Sequence, residues 1–338
     1  MTAMPTPLPS DFGDAAAEYT AVRKRAGLID RRDWGVVEVT GRDRASFLHA
    51  FLSNEIKALA PGQGCAATLL DVHGKVQVVL VVWVLDDRIL LVTPPGMAPK
   101  VVEALDHYLF SEKVSLNDAT EETALLLLAG PEARATLERL GGGCQAEARW
   151  SHVAATIDGV PVRLVTGGGE TGEPEVWVVT AVGEAGGMWV RLVAAGAQPV
   201  GLTALESLRI EAGTPLFGHD VDETVLLPEI PSANLVSHTK GCYPGQEVVV
   251  RIRDRGHVNR LLAGLVLEGD AVPERGAAVL ADDAEIGRVT SATRSFGLGR
   301  PIALAFVRRQ HADAGTAVAV RAGARTIPAR VAALPFAR

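Results

Sequence analysis

Cysteine is scarce in this 338-residue sequence. Cys65, Cys144 and Cys242 are odd in number and widely separated, which excludes a disulfide framework and points to a reducing compartment, the cytoplasm. Long apolar runs are missing too. The longest, Val76 to Leu85, covers about ten residues, and a membrane-spanning helix needs roughly 20. Positive charge is not in excess: the formal net charge of −7 argues against nucleic acid as a partner, because phosphate contacts need a basic face. The N-terminus carries neither a basic nor an apolar leader segment, so no secretory signal is readable. A P-loop, a zinc-protease His-Glu-x-x-His and a nucleophile elbow are all absent.

What remains is an ordinary globular composition, 48% apolar and 22% charged, in a chain long enough for two or three domains. The first twenty residues, with four prolines or glycines, read as a loose arm. Ala21 to Asp30 reads as a short amphipathic helix, Val36 to Thr40 as a strand and Arg44 to Leu52 as a helix. Val76 to Leu85 and Ile89 to Thr93 flank an acidic turn and read as a buried hairpin. Met97 to Leu109 and Glu132 to Leu140 carry helical stripes, whereas Leu125 to Leu128, Val160 to Val165 and Glu175 to Thr180 read as strands. Beyond Arg253, six short apolar runs around Leu261, Ala278, Val289, Ile302, Val318 and Val331 are separated by turn residues. Their spacing predicts a small C-terminal β-barrel or sandwich. The domain expectation is an arm over 1–20, a mixed region over 21–255 and a barrel over 256–338.

Several apparent motifs fail on context. Gly167 to Gly172 matches the dinucleotide pattern G-x-G-x-x-G, but a strand follows it instead of a helix, so it reads as a hairpin loop. His238 and Cys242 lie four apart, yet Gly241 and Pro244 break any helix that would align them, and no further metal ligands lie nearby. His219 and Asp220 read as a solvated loop.

Two segments stand out. In Gly201 to Pro215, Thr203 and Glu206 form a capping box, and Gly213 with Pro215 ends the helix. Glu211 then falls in the last turn, where the helix dipole disfavours a carboxylate. It is either a functional group or the partner of an arginine elsewhere. The second segment, Lys240-Gly241-Cys242-Tyr243-Pro244-Gly245-Gln246-Glu247, reads as a stiff turn running into a strand, Val248 to Ile252. Such a turn presents Cys242 either as a thiol that Lys240 activates or as a plain buried cysteine. Arg251, Arg253 and Arg255 would share one face of that strand, as a solvated edge, a short nucleic-acid patch or a site for an anionic ligand tail.

These segments carry a resemblance. Lys240 to Glu247 resembles the signature of the YgfZ family of folate-binding proteins, which is linked to iron–sulfur cluster assembly or repair. Leu208 to Gly213, continued through Gly218 and Asp222-Glu223-Thr224, resembles the wider superfamily of the glycine-cleavage T-protein, an aminomethyltransferase. Further similarity covers Ala26 to Asp30, Val39 to Asp43, Asn54 to Ile56, Asp71, Gly74-Lys75, Gly287 to Ser291 and Ile302 to Ala305. The resemblance implies a three-lobed α+β fold: mixed α/β lobes and a C-terminal β-barrel around a central channel that holds tetrahydrofolate. It places Glu211 on the pterin, whose adjacent amino and ring N–H groups a carboxylate accepts in bidentate fashion. Arg209, Lys240, Arg251 or Arg253 is left for the folate carboxylates. One departure stands against the aminomethyl chemistry of the T-protein. Val78 and Val79 occupy the positions of its carboxylates, and valine cannot move a proton.

The implied function is a tetrahydrofolate-binding protein that supports iron–sulfur enzymes or cluster carriers, with Cys242 as the reactive thiol. The alternatives are a folate-dependent one-carbon transferase or demethylase, and a scaffold that no longer binds folate. No metal site and no oligomer beyond a monomer is expected.

Overall fold

The computed structural model describes residues 8–143, 148–323 and 325–337; Cys144 lies outside them. In chain order, helix α1 (Ala15–Lys24) leads into β1 (Gly27–Asp30) and β2 (Gly35–Thr40), followed by α2 (Arg44–Phe51). Strands β3 (Gly64–Leu70), β4 (Val76–Val84) and β5 (Ile89–Thr93) precede α3 (Ala98–Asp106), β6 (Ser115–Asp118), β7 (Thr123–Ala129) and α4 (Ala133–Glu138). Next come β8 (His152–Ile157), β9 (Val160–Thr166), β10 (Glu175–Ala181), α5 (Ala185–Ala194), β11 (Gln198–Pro199) and α6 (Leu202–Glu211). After a long connection, α7 (Gln246–Arg255) leads to β12 (Arg260–Leu267), β13 (Ala278–Ala281), β14 (Ala284–Arg294), β15 (Pro301–Arg308), β16 (Ala317–Ala322) and β17 (Arg325–Ala332).

The strands form three bodies. One sheet runs β11-β1-β7-β10-β9-β8, a second runs β3-β4-β5-β2-β6, and β12 to β17 close into a barrel in the order β12-β15-β14-β13-β16-β17. This is the α+β, barrel-terminated architecture expected. The sequence pattern explains the layering. Strands such as Ala124 to Ala129 and Val76 to Val84 are apolar at almost every position, the mark of strands covered on both faces. Alternation then sorts the side chains. In β7, Leu125 and Leu127 join Trp83, Val81 and Val92 in a core between the two sheets, whereas Leu126 and Leu128 face α4 and α5. In β4, Val78 and Leu80 pack toward α2 and α3. The barrel repeats the rule: Ala303, Ala305 and Val307 fill its interior, and Ile302, Leu304 and Phe306 pack outward against the rest of the chain.

Four local expectations are corrected. The expected arm over 1–20 is described from residue 8; residues 8–14 are held in place and α1 starts at Ala15, while residues 1–7 lie outside the described residues. The Pro9 and Ser10 carbonyls accept from the Leu202 and Thr203 amides. Those orphan donors at the start of α6 are thus satisfied by backbone, so the Thr203–Glu206 capping box does not form. The helix read at Ala21 to Asp30 begins at Ala15 and stops at Lys24, because Gly27 to Ile29 is completely buried as a sheet strand. Val248 to Ile252 is helical, nucleated after Gly245 at φ +76° and buried at Val249, despite its run of β-branched residues. Arg251 and Arg255, four residues apart, therefore share one helix face and Arg253 lies on the opposite one.

His219 and Asp220 are not solvated. Asp220 is buried, and its carboxylate accepts from Arg209 (2.9 Å), the Leu216 amide (2.9 Å), Thr290 (2.5 Å) and Ser291 (2.6 Å). Arg209, itself 2% exposed, also bonds Glu206 and Ser291, and His219 contacts Ser291 at 3.0 Å. This cluster joins α6 to β14 of the barrel. Replacing Asp220 by Ala leaves a buried guanidinium short of its partner and should cost about 3 to 5 kcal/mol, read as a lower urea midpoint with unchanged slope.

Candidate functional site

Between the two sheets and the connection after α6 lies a cavity of about 280 Å³. Its apolar wall comes from Val79 and Val81 of β4, Pro94, Phe217, Ile230 and Leu235. Three tryptophans line it: Trp34 after β1, Trp150 before β8 and Trp177 of β10. Trp34 and Trp177 meet edge to face with ring centroids 5.3 Å apart. Both indole N–H groups are buried without a hydrogen-bond partner among the described residues. Trp150 adopts φ +65°, a strained conformation for an aromatic residue. Its ring lies so close to Gly168 that a Cβ there would sit 2.3 Å from the indole, which explains a glycine at that point of the loop.

Two carboxylates reach the cavity from the β9–β10 loop and its end, Glu170 and Glu175. Glu175 folds the loop around itself. It accepts from the Gly169 amide (2.8 Å) and from the Thr171 amide and hydroxyl (2.7 and 2.8 Å). The Glu170 amide adds a further bond, so the roughly four acceptor positions of the Glu175 carboxylate are taken up by its own loop. Burial, reinforced by the charge of Glu170, pushes the Glu175 carboxyl above its ordinary range despite these bonds. Glu170 pairs through Oε1 with Arg31 at 3.2 Å, and its Oε2 is buried without a partner among the described residues. Arg31 lies 4.9 Å over the Trp34 ring. Arg149 lines the same cavity, and Arg209 closes it on the α6 side.

Glu211 does not line this cavity. It is wholly buried on another side of α6, and five donors converge on it: Tyr19 and Arg23 (2.6 Å each), Ser295 (2.6 Å), Ser207 (2.9 Å) and the Gly297 amide (3.3 Å). Burial works against its charge, but the bonds from Ser295, Tyr19, Arg23 and Ser207 outweigh it and hold its pKa below the ordinary value. A carboxylate so committed has nothing left to offer a pterin. The arginine-partner alternative for Glu211 is the one realised, with Arg23 of α1. Among the described residues that line the cavity, Glu170 is the carboxylate with an unpartnered oxygen, and no local sequence signal marks it. The Gly167 to Gly172 segment is the hairpin loop it was read as. Its signal lay one step further, in a lone glutamate opening the apolar strand Glu175 to Thr180.

The remaining candidates gather at a second place. Lys240 is buried and donates to the carbonyls of His49 and Leu52 (2.6 Å to the latter), where α2 ends, with its ammonium 5.0 Å over the Tyr243 ring. Burial brings its pKa down to about 8. Its charge is thus spent on orphan helix carbonyls, and it is not a folate-tail group at the cavity. Gly245 is required by a close approach: a Cβ there would lie 2.5 Å from the Asp71 carbonyl. Gln246 and Glu247 open α7, where an acidic side chain suits the dipole. Cys242 is left exposed on the outside of this clamped turn, and Arg251 is exposed on α7, away from the cavity lining.

Comparison with known proteins identifies the family, and the Gly241 to Glu247 turn lies between the two matched domains. The GCVT N-terminal domain matches residues 4–240, and the glycine cleavage T-protein C-terminal barrel domain matches 260–337. The aminomethyltransferase of Rubrobacter xylanophilus is 35% identical over 98% of this chain and 88% of its own length. That of Thermus thermophilus is 34% identical over 97% and 92%. The crystal structure of glycine cleavage system aminomethyltransferase T from Bartonella henselae superposes with a TM-score of 0.88 at 24% identity, covering 99% of this chain and 91% of that one, a likeness of fold.

The Glu211 cluster has a pH signature. Its folded pKa lies below the ordinary 4.5, so the stability it contributes is complete above that value and is lost as pH falls through the folded pKa. Urea midpoints of the parent should therefore drop on acidification below about pH 4.5. Glu211→Gln should start lower at pH 7 and fall less steeply. Parallel curves would exclude this assignment.

Proposed function

The chain belongs to the glycine-cleavage T-protein family, and on that premise we propose that its central cavity binds tetrahydrofolate and holds it for one-carbon chemistry. The observation that carries this reading is the unpartnered buried oxygen of Glu170 in a cavity walled by tryptophans. A pterin is flat and aromatic and presents N–H donors on its edge. The tryptophan rings supply apolar and stacking surface, and Glu170 supplies an acceptor for the N–H edge. Arg149, exposed at the cavity, suits the anionic glutamate tail. Bound tetrahydrofolate supplies ring nitrogens that carry one-carbon units at several oxidation levels.

The residues of this chain then bind, orient and exclude water. Val79 gives the site an apolar β4 wall, so no carboxylate from that strand handles a proton. Val78, the neighbouring departure, packs on the α2–α3 side. The relatives are named aminomethyltransferases. Here a one-carbon transfer would depend on Glu170 or Glu175 for any acid–base step.

Anaerobic calorimetry with tetrahydrofolate tests the pocket. The parent should bind saturably. Glu170→Gln should weaken binding roughly tenfold to a hundredfold, the worth of a hydrogen bond to a charged group. Glu211→Gln, folded at pH 7, should bind as the parent does. No saturable binding by the parent would remove folate from the account.

A second reading keeps the YgfZ resemblance, and the exposed thiol of Cys242 on its clamped turn favours it. In it, the protein supports iron–sulfur enzymes or cluster carriers. Loss of the gene should lower aerobic activities of radical and dehydratase iron–sulfur enzymes, restored by the parent chain and not by Cys242→Ser. Normal activities in the deletion strain would reject it.

A further inference from the structure

Resting on the folate reading above, we infer that Lys240 is a positioning residue that latches residues 230–239 over the central cavity and so sets how fast a ligand enters and leaves. From Ile230 to Gly245 the chain forms neither helix nor strand. Ile230, Pro231, Asn234 and Leu235 of this strap wall the cavity. Both ends of the strap are fixed. Before it, Glu229 pairs with Arg260 at 3.0 Å, and the Leu227 amide donates to the Gly74 carbonyl at 3.1 Å. After it, Gly245 sits tightly against the backbone of Asp71 and Gly74.

Between those ends the hold is slight. Over residues 231–239, Val236 is buried and the others are partly or fully exposed. The outward hydrogen bonds of the strap, among the described residues, converge on the end of α2. Ser53 donates to the Leu235 carbonyl (2.6 Å), Asn54 to the Asn234 carbonyl (3.1 Å), and the Ser237 amide to the Ser53 carbonyl (3.0 Å). Lys240 adds the charged bonds, to the His49 and Leu52 carbonyls. Charge-assisted bonds are the strong ones, and a segment with so little packing opens locally when they weaken. Burying the ammonium is costly, and a plain apolar contact would avoid that cost. The charge is what makes the contact a latch.

The latch titrates. Burial brings the Lys240 pKa down to about 8, although Glu55, Cys65 and Cys242 nearby favour its charge. The other groups facing it titrate elsewhere. Burial and the Lys240 charge hold His49 below its ordinary 6.5, burial pushes Cys65 up to about 12, and burial raises Tyr243 above its ordinary 10.0. Above about pH 8 the amine is neutral, its bonds to the carbonyls weaken, and the strap opens more often.

Stopped-flow tryptophan fluorescence with tetrahydrofolate reads this directly, run anaerobically on the full chain in a Cys242→Ser background so that no thiol at 242 titrates. Lys240→Met should raise association and dissociation rates together, each about tenfold, with affinity nearly unchanged, because opening precedes both steps. With Lys240 intact, exchange should quicken between about pH 7 and pH 9 with a midpoint near 8. Lys240→Met and Lys240→Arg should give flat profiles, the arginine slow throughout because it stays charged. Equal rates with and without Lys240, a flat profile with Lys240 intact, or a faster dissociation alone with lost affinity would overturn the latch and leave the folate pocket standing. The profile with Lys240 intact needs no substitution at 240, so it decides even where the methionine variant misfolds. Hydrogen exchange at pH 7 supplies a ligand-free measurement. Amides of residues 231–239 should exchange faster in Lys240→Met than with Lys240 intact, with β3 and β4 unchanged. If no tetrahydrofolate binds, the folate reading falls, and this comparison judges the latch alone: faster exchange in the strap upholds it, and unchanged exchange rejects it.

Discussion

Helix α6 buries two opposite charges two residues apart and sends them to different lobes. Arg209 reaches Asp220 and Ser291, tying the helix to the barrel strand β14. Glu211 reaches Tyr19 and Arg23 of α1 and Ser295 beside the barrel. Each charge is compensated by hydrogen bonds and by an opposite charge, the condition under which burial of an ion is tolerable. Because these bonds are directional, they fix how the barrel and the two sheets meet. The central cavity lies beside α6, between the two sheets and the connection that follows the helix.

The cavity is therefore a product of three independent layers. The two sheets are apolar on both faces, so they pack on each other inside and on helices outside. At one end of their interface the packing gives way to tryptophans and to the β9–β10 loop. Glu175 organises that loop by collecting its amides, and Glu170 projects from it with one oxygen free. A binding site on a loop held by a rigid sheet is the usual division of labour. The clamped turn at Lys240 to Gly245 follows the same logic elsewhere: a buried ammonium on helix carbonyls and a glycine against the Asp71 carbonyl hold an exposed cysteine in place.

Much of this was legible in the linear pattern. The six apolar runs of the barrel, the β4–β5 hairpin and the helix ending at Glu211 follow from alternation, 3.6-residue periodicity and stop signals. The T-protein resemblance carried by Leu208 to Gly213 agrees with the matched N-terminal domain, whereas the Lys240 to Glu247 segment lies almost wholly between the two matched domains. What misled was local chemistry with a tertiary answer. Thr203 and Glu206 have the form of a capping box, but a backbone segment from residues 9 and 10 arrives first. Val248 to Val250 prefer a strand in isolation, but burial of Val249 and the Gly245 turn make a helix.

The sequence by itself determined the fold class, the barrel and the segments in which chemistry is concentrated, because these depend on which residues are apolar and at what period. Only the tertiary structure decided which carboxylate keeps an unpartnered oxygen. Glu211 looked exceptional at a helix end, yet donors from α1 and from beside the barrel saturate it. Glu170 looked like one more residue of a glycine-rich loop, yet folding leaves its oxygen buried and unpaired in the cavity. Availability for binding is set by which donors arrive from distant parts of the chain, and no local pattern encodes that.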